Sequence, residues 1–206
     1  MLASSNLPAL VLASTSPYRR ELLARLGLKF FAAAPKFEEK HAHERDPAAL
    51  ALALARGKAM SVAADFTDAN ISGSDQVVWF EGRVLGKPGT KERARQELRD
   101  LRGRTHEFYM GLFLFHTEKR AAQEFVVTGS GRLRADLSEA ELRQYVELDN
   151  PVDCAGSAKT EGPGLMLFDR LDCEDWTAII GLPVIALTTA LRRWQYPVFT
   201  QYHTIS

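Results

Sequence analysis

Residues 10–23, LVLASTSPYRRELL, form the stretch from which the fold of this chain can best be inferred. The apolar residues predict a buried strand, and the hydroxyl-rich turn after them predicts the start of a helix. Ser16 can accept an amide hydrogen of the first helical turn, and Pro17 suits a position that needs no N–H donor. A helix N-terminus beside Arg19 and Arg20 suits an anion, above all phosphate. An ordinary capped helix with solvated arginines would also explain these residues.

Helices and strands alternate in the first part of the chain, and a long hairpin dominates the rest. Predicted strands lie at 7–13, 28–34, 71–80, 83–85, 105–116, 123–134 and 165–168, and predicted helices at 16–26, 46–64, 90–101, 137–148 and 182–194. Gly57, inside the second helix, costs about 1 kcal/mol relative to alanine, which suggests that a neighbour needs the space. We expect a mixed α/β (α+β) fold with two lobes and a cleft, one domain over residues 1–206, and a loose tail over 197–206.

Composition excludes several classes of function. The 26 basic residues balance 26 acidic ones, so no overall basic field favours nucleic acid as a partner. No apolar run approaches the length of a membrane span, and no membrane partner is expected. Cys154 and Cys173, the only cysteines, are too few for a disulfide framework and suggest inert thiols in a reducing compartment. A cytoplasmic protein is the resulting expectation.

Asp75 is the most informative single residue. It lies with Ser74 and Gln76 inside an otherwise apolar predicted strand, where an unpaired carboxylate would be costly. A metal ligand or a general base would explain its position. A buried acid paired with an arginine, or an acid at a strand end, would explain it equally without any catalytic function.

Other polar residues offer weaker signals. Glu38 and Glu39 could bind a hard divalent cation, although such pairs are usually solvated. His41 and His43 have no partners at metal-ligand spacing, and we interpret them as surface residues. Two lysines lie near glycines, Lys58 in the second helix and Lys87 in a Gly-Lys-Pro loop. The spacing of a Walker P-loop is absent.

Residues 155–164, AGSAKTEGPG, form an unusual run of small residues. Glycines permit a close approach of the backbone to a ligand. Lys159 and Glu161 would point to the same side if the run were extended. A plain turn is the alternative interpretation.

Taken together, several short stretches resemble the Maf family of nucleoside triphosphate pyrophosphatases. They occur in the order of that family and span nearly the whole chain. The matching stretches are ASTSPYRR (13–20), Glu38-Glu39, Lys58-Ala59, GSDQV (73–77), Gly86-Lys87-Pro88, CAGSAKTEG (154–162) and Gly181-Leu182-Pro183.

The resemblance is greatest to the branch of 7-methyl-GTP pyrophosphatases. Gln76 follows the aspartate, where the dTTP/UTP branch has threonine, and Glu161 lies in a Lys-x-Glu-Gly context. The chain departs from its branch at Tyr18, where tryptophan is usual. Both residues are flat aromatics, so stacking on a base could be retained.

The resemblance implies a central mixed sheet flanked by helices, often in a homodimer, and hydrolysis of a nucleoside triphosphate with a divalent metal such as Mg, Mn or Co. It implies the following roles by position: Asp75 as the catalytic base; Ser14, Arg19, Arg20, Lys58 and Lys87 on the phosphates; Glu39 on the metal, with Asp75 as a second candidate ligand; and Tyr18, Gln76 and Glu161 as determinants of base specificity.

Three other functions remain open on the sequence alone. The same chemistry on dTTP or UTP is disfavoured by Gln76 and Glu161. A non-catalytic nucleotide-binding regulator of cell division would have no need of Asp75 as a base. A nucleic-acid binder conflicts with the balanced charge.

Overall fold

The computed structural model describes residues 7–38 and 46–199, in which six α-helices pack on one seven-stranded sheet. The strands are β1 (Ala9–Ala13), β2 (Phe31–Ala33), β3 (Ala69–Phe80), β4 (Arg83–Leu85), β5 (Thr105–His116), β6 (Ala121–Leu133) and β7 (Phe168–Cys173). The helices are α1 (Pro17–Ala24), α2 (Pro47–Met60), α3 (Lys91–Leu101), α4 (Glu139–Asp149), α5 (Trp176–Ile180) and α6 (Val184–Arg193).

The sheet is mixed, which confirms the expected fold class. Its strand order is β2-β1-β3-β5-β6-β7, and β4 pairs with β3. The strand β1 runs parallel to both β2 and β3. The pairs β3–β5, β5–β6 and β6–β7 are antiparallel, and β5 with β6 forms the predicted long hairpin.

The strand pairing along one edge of β3 is interrupted, and a ligand can approach the strand at this interruption. On one side, β3 pairs with β5 along almost its whole length. On the other side, β1 pairs with residues 69–72 and β4 with residues 78–80, which leaves residues 73–77 between the two partners. The loops that follow β1 and β4 both begin at this interruption. They therefore diverge around Asp75, as connections do at a switch point in an open sheet.

Helix α2 lies unusually close to β3 and β5 because two glycines face it. A Cβ atom on Gly73 would lie 2.1 Å from the carbonyl oxygen of Ala55, and one on Gly111 would lie 2.2 Å from that of Ala51. Gly57 confirms the expectation that a neighbour needs its space, since a Cβ atom there would lie 2.4 Å from the ring of Phe37. These contacts allow only glycine without displacement of the backbone or the ring.

The two faces of the sheet bury separate hydrophobic clusters. Alternate residues of β5 belong to different clusters: Leu112 and Leu114 pack with α1 and α6, whereas Phe113 and Phe115 pack with α2. This alternation follows from the two-residue repeat of a strand. A third cluster joins one end of β3 and β5 to α3 and α4.

The predicted strand at 165–168 is wrong. Residues Pro163–Leu167 form a 3-10 helix, favoured by the proline at its start, and β7 begins only at Phe168. Three of the six residues of β7, an edge strand, are charged (Asp169, Arg170 and Asp172), and they conceal its pattern. Helix α5 was not predicted, because its five residues are too few to show helical periodicity.

Two helix ends also differ from the prediction. Helix α2 ends at Met60, and a separate 3-10 turn at Ala63–Asp65 follows it. Helix α6 begins at Val184, two residues later than predicted, so Pro183 is its N-cap rather than a residue of its first turn. Helix ends are the parts that local sequence specifies least.

Some predictions concern residues outside the described ranges. Glu39, His41 and His43 belong to this group, as does the tail from residue 200 onward. Val198, at the described end of the chain, packs against the cluster that contains α1 and α6. Within residues 7–38 and 46–199, the longest apolar helical stretches fall short of what crossing a bilayer requires.

Candidate active site

A cleft of about 750 Å³ opens at the interruption beside β3. The loop after β1 forms one side of it, and the loop after β4 forms the other. Helix α2 and the segment around residues 153–161 complete its walls. Clefts of this size accommodate a nucleotide-sized ligand.

Asp75 lies in this cleft between two cations. Its Oδ1 atom is 3.0 Å from Nζ of Lys58 and 3.4 Å from a terminal guanidinium nitrogen of Arg19. The side chains of all three residues are at least 86% buried. The two ion pairs offset the desolvation cost of the buried carboxylate, and one partner is an arginine, as the sequence allowed. They also keep the carboxylate within the cleft.

The carbonyl oxygen of Gly181 fixes the position of Arg19. It accepts a 2.7 Å hydrogen bond from Nε of Arg19 and a 2.9 Å hydrogen bond from the hydroxyl of Ser74. Gly181 has a φ of 127°, which disfavours any side chain. The turn between α5 and α6 therefore orients the arginine that contacts Asp75.

The hydroxyl-rich loop after β1 has the predicted capping geometry. The Ser16 hydroxyl accepts from the amide of Arg19 at 3.4 Å, and Pro17 opens α1. The hydroxyl of Ser14 in turn accepts from the amide of Ser16 at 3.1 Å. Ser14 and Thr15 border the cleft, so this loop presents hydroxyls and the N-terminal end of α1 to a ligand.

The structure separates the two adjacent arginines. Arg19 reaches into the cleft, whereas Arg20 is exposed and does not border it. Successive helical residues point about 100° apart, and this rotation turns Arg20 away from the cleft that Arg19 borders. Lys87 is exposed on the opposite rim, after β4, and borders the cleft.

Three predicted specificity residues, Tyr18, Gln76 and Glu161, also border the cleft. Burial raises the pKa of the Glu161 carboxyl, and nearby Asp149 raises it further. Burial and the charge of Glu161 raise the pKa of the Tyr18 phenol. The cleft therefore combines a cationic end near Ser14 with an aromatic and acidic end near Glu161.

The segment that carries Glu161 is not extended, so the condition for Lys159 and Glu161 to share a side is not met. The ammonium of Lys159 instead donates to the carbonyls of Asp149 at 2.9 Å and Asn150 at 3.3 Å, at the end of α4. Ser157 donates to the carboxylate of Glu97 on α3. Lys159 thus anchors this segment rather than binding in the cleft.

Cys154 borders the cleft but is a poor nucleophile there. Burial raises the pKa of its thiol to about 12, and the charge of Glu161 contributes. The thiol is free, as is that of Cys173. Because the thiol stays protonated at neutral pH, the cleft suits attack by water better than attack by sulfur.

The described residues include no cluster of three histidine, cysteine or acidic side chains that could enclose a metal. A magnesium ion in a nucleotide site, however, commonly takes only one or two carboxylates and completes its shell with phosphate oxygens and water. Asp75 can supply one such ligand, since both of its cation contacts end on Oδ1. The residues therefore fit a cation that arrives with a polyphosphate.

Sequence reasoning missed the apolar wall of the cleft. Phe37, Leu50, Leu54 and Val77 line it opposite the hydroxyl loop. These residues carry no distinctive chemistry in the sequence. Only Gly57 gave a signal, since its missing side chain makes room for Phe37.

Comparison with known proteins identifies the family of this chain. The family model described as Maf-like protein matches residues 9–194. A 7-methyl-GTP pyrophosphatase of Cupriavidus pinatubonensis is 46% identical over 198 residues, which cover 96% of this chain and 99% of the relative. The proteins of that name from Ralstonia nicotianae and Syntrophotalea carbinolica are also 46% identical, over 93% and 88% of this chain and 98% and 92% of the relatives. The chain therefore belongs to the Maf family.

Proposed function

We propose that this protein hydrolyses N7-methylguanosine triphosphate to 7-methyl-GMP and diphosphate, and so removes a modified nucleotide from the cellular pool. One observation carries the proposal: a buried carboxylate, Asp75, lies between two cations in a cleft whose other end is aromatic and acidic. The relatives named 7-methyl-GTP pyrophosphatase support the choice of substrate. The wider activity is that of a nucleotide diphosphatase, a hydrolase of acid anhydrides.

The phosphate groups would lie at the cationic end of the cleft. Ser14, Arg19, Lys58 and Lys87 border the cleft and offer hydrogen bonds or positive charge to a polyphosphate. Their charges would lower the repulsion that a triphosphate presents to an oxygen nucleophile. Arg20, which is exposed, would contribute only through its longer-range charge.

Asp75 would act as the general base. In this mechanism a water molecule attacks the α-phosphorus, Asp75 accepts its proton, and the bond to the bridging oxygen breaks as diphosphate leaves. Lys58 and Arg19 would hold the carboxylate in place during this step. Arg19 would also stabilise the charge that develops on the phosphate oxygens.

A divalent cation, Mg, Mn or Co, would be held by the phosphates of the substrate and by Glu39, and Asp75 would be a ligand only in a mechanism in which it is not the base. When bound, it would neutralise phosphate charge and favour departure of diphosphate. Glu39, the other proposed ligand, lies outside the described residues.

Base recognition would depend on the charge of the methylated ring. Guanine methylated at N7 is cationic, so an aromatic face and a carboxylate suit it. Tyr18 and Glu161 supply these two groups, and Gln76 supplies an amide that can donate to and accept from a base edge.

The experiment is a measurement of diphosphate release from 7-methyl-GTP, GTP, dTTP and UTP. We expect the wild type to prefer 7-methyl-GTP and Asp75→Asn to lose at least about 100-fold in kcat while it still binds nucleotide. Asp172→Asn, which neutralises an exposed acid on β7, is the matched control and should retain activity. Tight binding without diphosphate release in the wild type would point to a regulator instead.

A cytoplasmic location and a homodimer complete the proposal. The free thiols of Cys154 and Cys173 suit a reducing compartment. Sedimentation velocity tests the homodimer directly.

A further inference from the structure

A second cavity, of about 420 Å³, adjoins the cleft. Tyr18 and Glu161 border both spaces, so these two residues form their common boundary. A ligand with its phosphates near Ser14 can therefore extend past Tyr18 into the second cavity without leaving the protein surface.

The walls of the second cavity suit a flat ring. Leu22 of α1 and Ile179 and Ile180 of α5 give it apolar surface, and Glu161 gives it a carboxylate. Trp176 of α5 also lines the cavity, and the residue is 58% exposed. A tryptophan face is the strongest of the aromatic faces for binding a cation.

The backbone that carries Trp176 is firmly held. The buried Asp175 carboxylate accepts a 3.2 Å hydrogen bond from the amide of Thr177 and a 2.8 Å hydrogen bond from that of Ile185. It thereby ties the start of α5 to the first turn of α6. An exposed ring on an anchored backbone can cover a ligand with little loss of backbone entropy.

The charged side chains that line this cavity, Glu161 and the ion pair of Glu21 with Arg25, carry a net negative charge, which favours a cationic ring. Burial makes the negative charge of Glu161 costly, and burial is the main reason that the pKa of this carboxyl is raised. A positively charged ring beside the carboxylate would offset that cost. Neutral guanine would offset less of it.

We infer that the methylated purine of the substrate lies at the boundary of the two spaces and reaches into the second cavity, where Trp176 covers it, and that Trp176 is a specificity-determining residue. The inference rests on the proposed function. Tyr18 and Glu161 contact the cationic ring at that boundary, and Trp176 adds a second aromatic face on the side of the second cavity.

The test compares Trp176→Ala, Trp176→Phe and the control Ile185→Ala, which removes an equally exposed apolar side chain outside both cavities. We expect Trp176→Ala to raise KM for 7-methyl-GTP about tenfold with kcat nearly unchanged, and to lower the preference over GTP by a similar factor. Trp176→Phe should show a smaller rise in KM and a smaller loss of preference, and Ile185→Ala should match the wild type in both.

Binding of the product measures the site without turnover. We expect 7-methyl-GMP to quench tryptophan fluorescence in the wild type and to lose most of that quenching in Trp176→Phe, which retains Trp79 and Trp194. Quenching in a wild type that releases no diphosphate from 7-methyl-GTP would support this base site and refute the proposed activity.

Two results would overturn the inference. One is an unchanged preference for 7-methyl-GTP in Trp176→Ala together with unchanged quenching in Trp176→Phe. The other is a change of oligomeric state in Trp176→Ala with unchanged binding of 7-methyl-GMP, which would make the exposed ring a subunit contact.

Discussion

Nζ of Lys58 lies 3.0 Å from Oδ1 of Asp75, although α2 carries the lysine and β3 carries the aspartate. The close approach of α2 to the sheet brings the two residues together. Replacement of Lys58 by alanine would remove a buried cation from both the carboxylate and a bound phosphate. We expect a loss on the order of 100-fold in kcat/KM, comparable with loss of one group that stabilises transition-state charge.

The control for Lys58→Ala is Arg56→Ala on the same helix. Arg56 is exposed, pairs with Glu124 and does not border the cleft. Steady-state kinetics should show the large fall in kcat/KM for Lys58→Ala and little change for Arg56→Ala. An equal loss of activity in the two variants would show that helix stability, rather than the Lys58 charge, matters.

Gly181→Ala should impair Arg19 without touching the substrate. A Cβ atom at Gly181 would be 3.2 Å from Nε of Arg19, and a φ of 127° would strain it. We expect at least about a tenfold fall in kcat/KM, because misplacement of a catalytic group is costly. Gly82→Ala is the matched control, since its φ is also positive, 81°, and nothing lies within 4 Å of its Cβ position.

The preference for 7-methyl-GTP should weaken on acidification. The pKa of Glu161 is raised mainly by burial, so its carboxylate is lost at a higher pH than for a solvated glutamate. The anion is present above that pKa, and recognition of the cationic base should fall as pH drops through it. We expect the ratio of kcat/KM values for 7-methyl-GTP and GTP to decrease in wild type and to stay flat in Glu161→Gln.

His106 should make the fold sensitive to acid. Burial lowers the pKa of this histidine to about 4, from 6.5 for an unperturbed side chain. Between these values the unfolded chain binds a proton that the folded chain does not, so stability falls as pH drops from 6.5 toward 4. The free energy of unfolding falls by about 3 kcal/mol over that range, and above pH 6.5 this titration does not change it.

Denaturant unfolding at several pH values measures the acid effect. His106→Phe should show a shallower dependence of the free energy of unfolding on pH between 6.5 and 4. The free energies of unfolding of wild type and His106→Phe are also compared at pH 8, where the titration has no effect. A difference at that pH comes from changed packing around Phe108 and Phe168. An identical slope in wild type and variant would refute the role of His106.

The sequence predicted elements best where local chemistry specifies them. The capping serine at Ser16 forms as expected, and Ser138 and Glu141 form a capping box at the start of α4, within the predicted helix. The long hairpin of β5 and β6 was also predicted, because two long runs rich in strand-forming residues flank a short polar turn. By contrast, the edge strand β7 and the short helix α5 lack a distinctive local pattern, and tertiary contacts place them.

The candidate site was predictable in its chemistry but not in its arrangement. Asp75 was conspicuous because a carboxylate interrupts an apolar strand. Its two cation partners are distant in sequence: Arg19 precedes it by 56 residues and Lys58 by 17. No local spacing in the sequence relates either residue to Asp75. The contribution of the Gly181 carbonyl depends on the backbone alone and has no side-chain signature.

The glycine contacts beneath α2 have a consequence for laboratory evolution of this enzyme. Gly73 and Gly111 leave no space for even one added carbon. Substitutions along that boundary should therefore be selected against because they impair folding, and not because they impair activity. Variants with altered nucleotide preference should instead accumulate around α5 and residues 153–161, on the side of the cleft away from α2. Mutational libraries restricted to that side would retain more folded members.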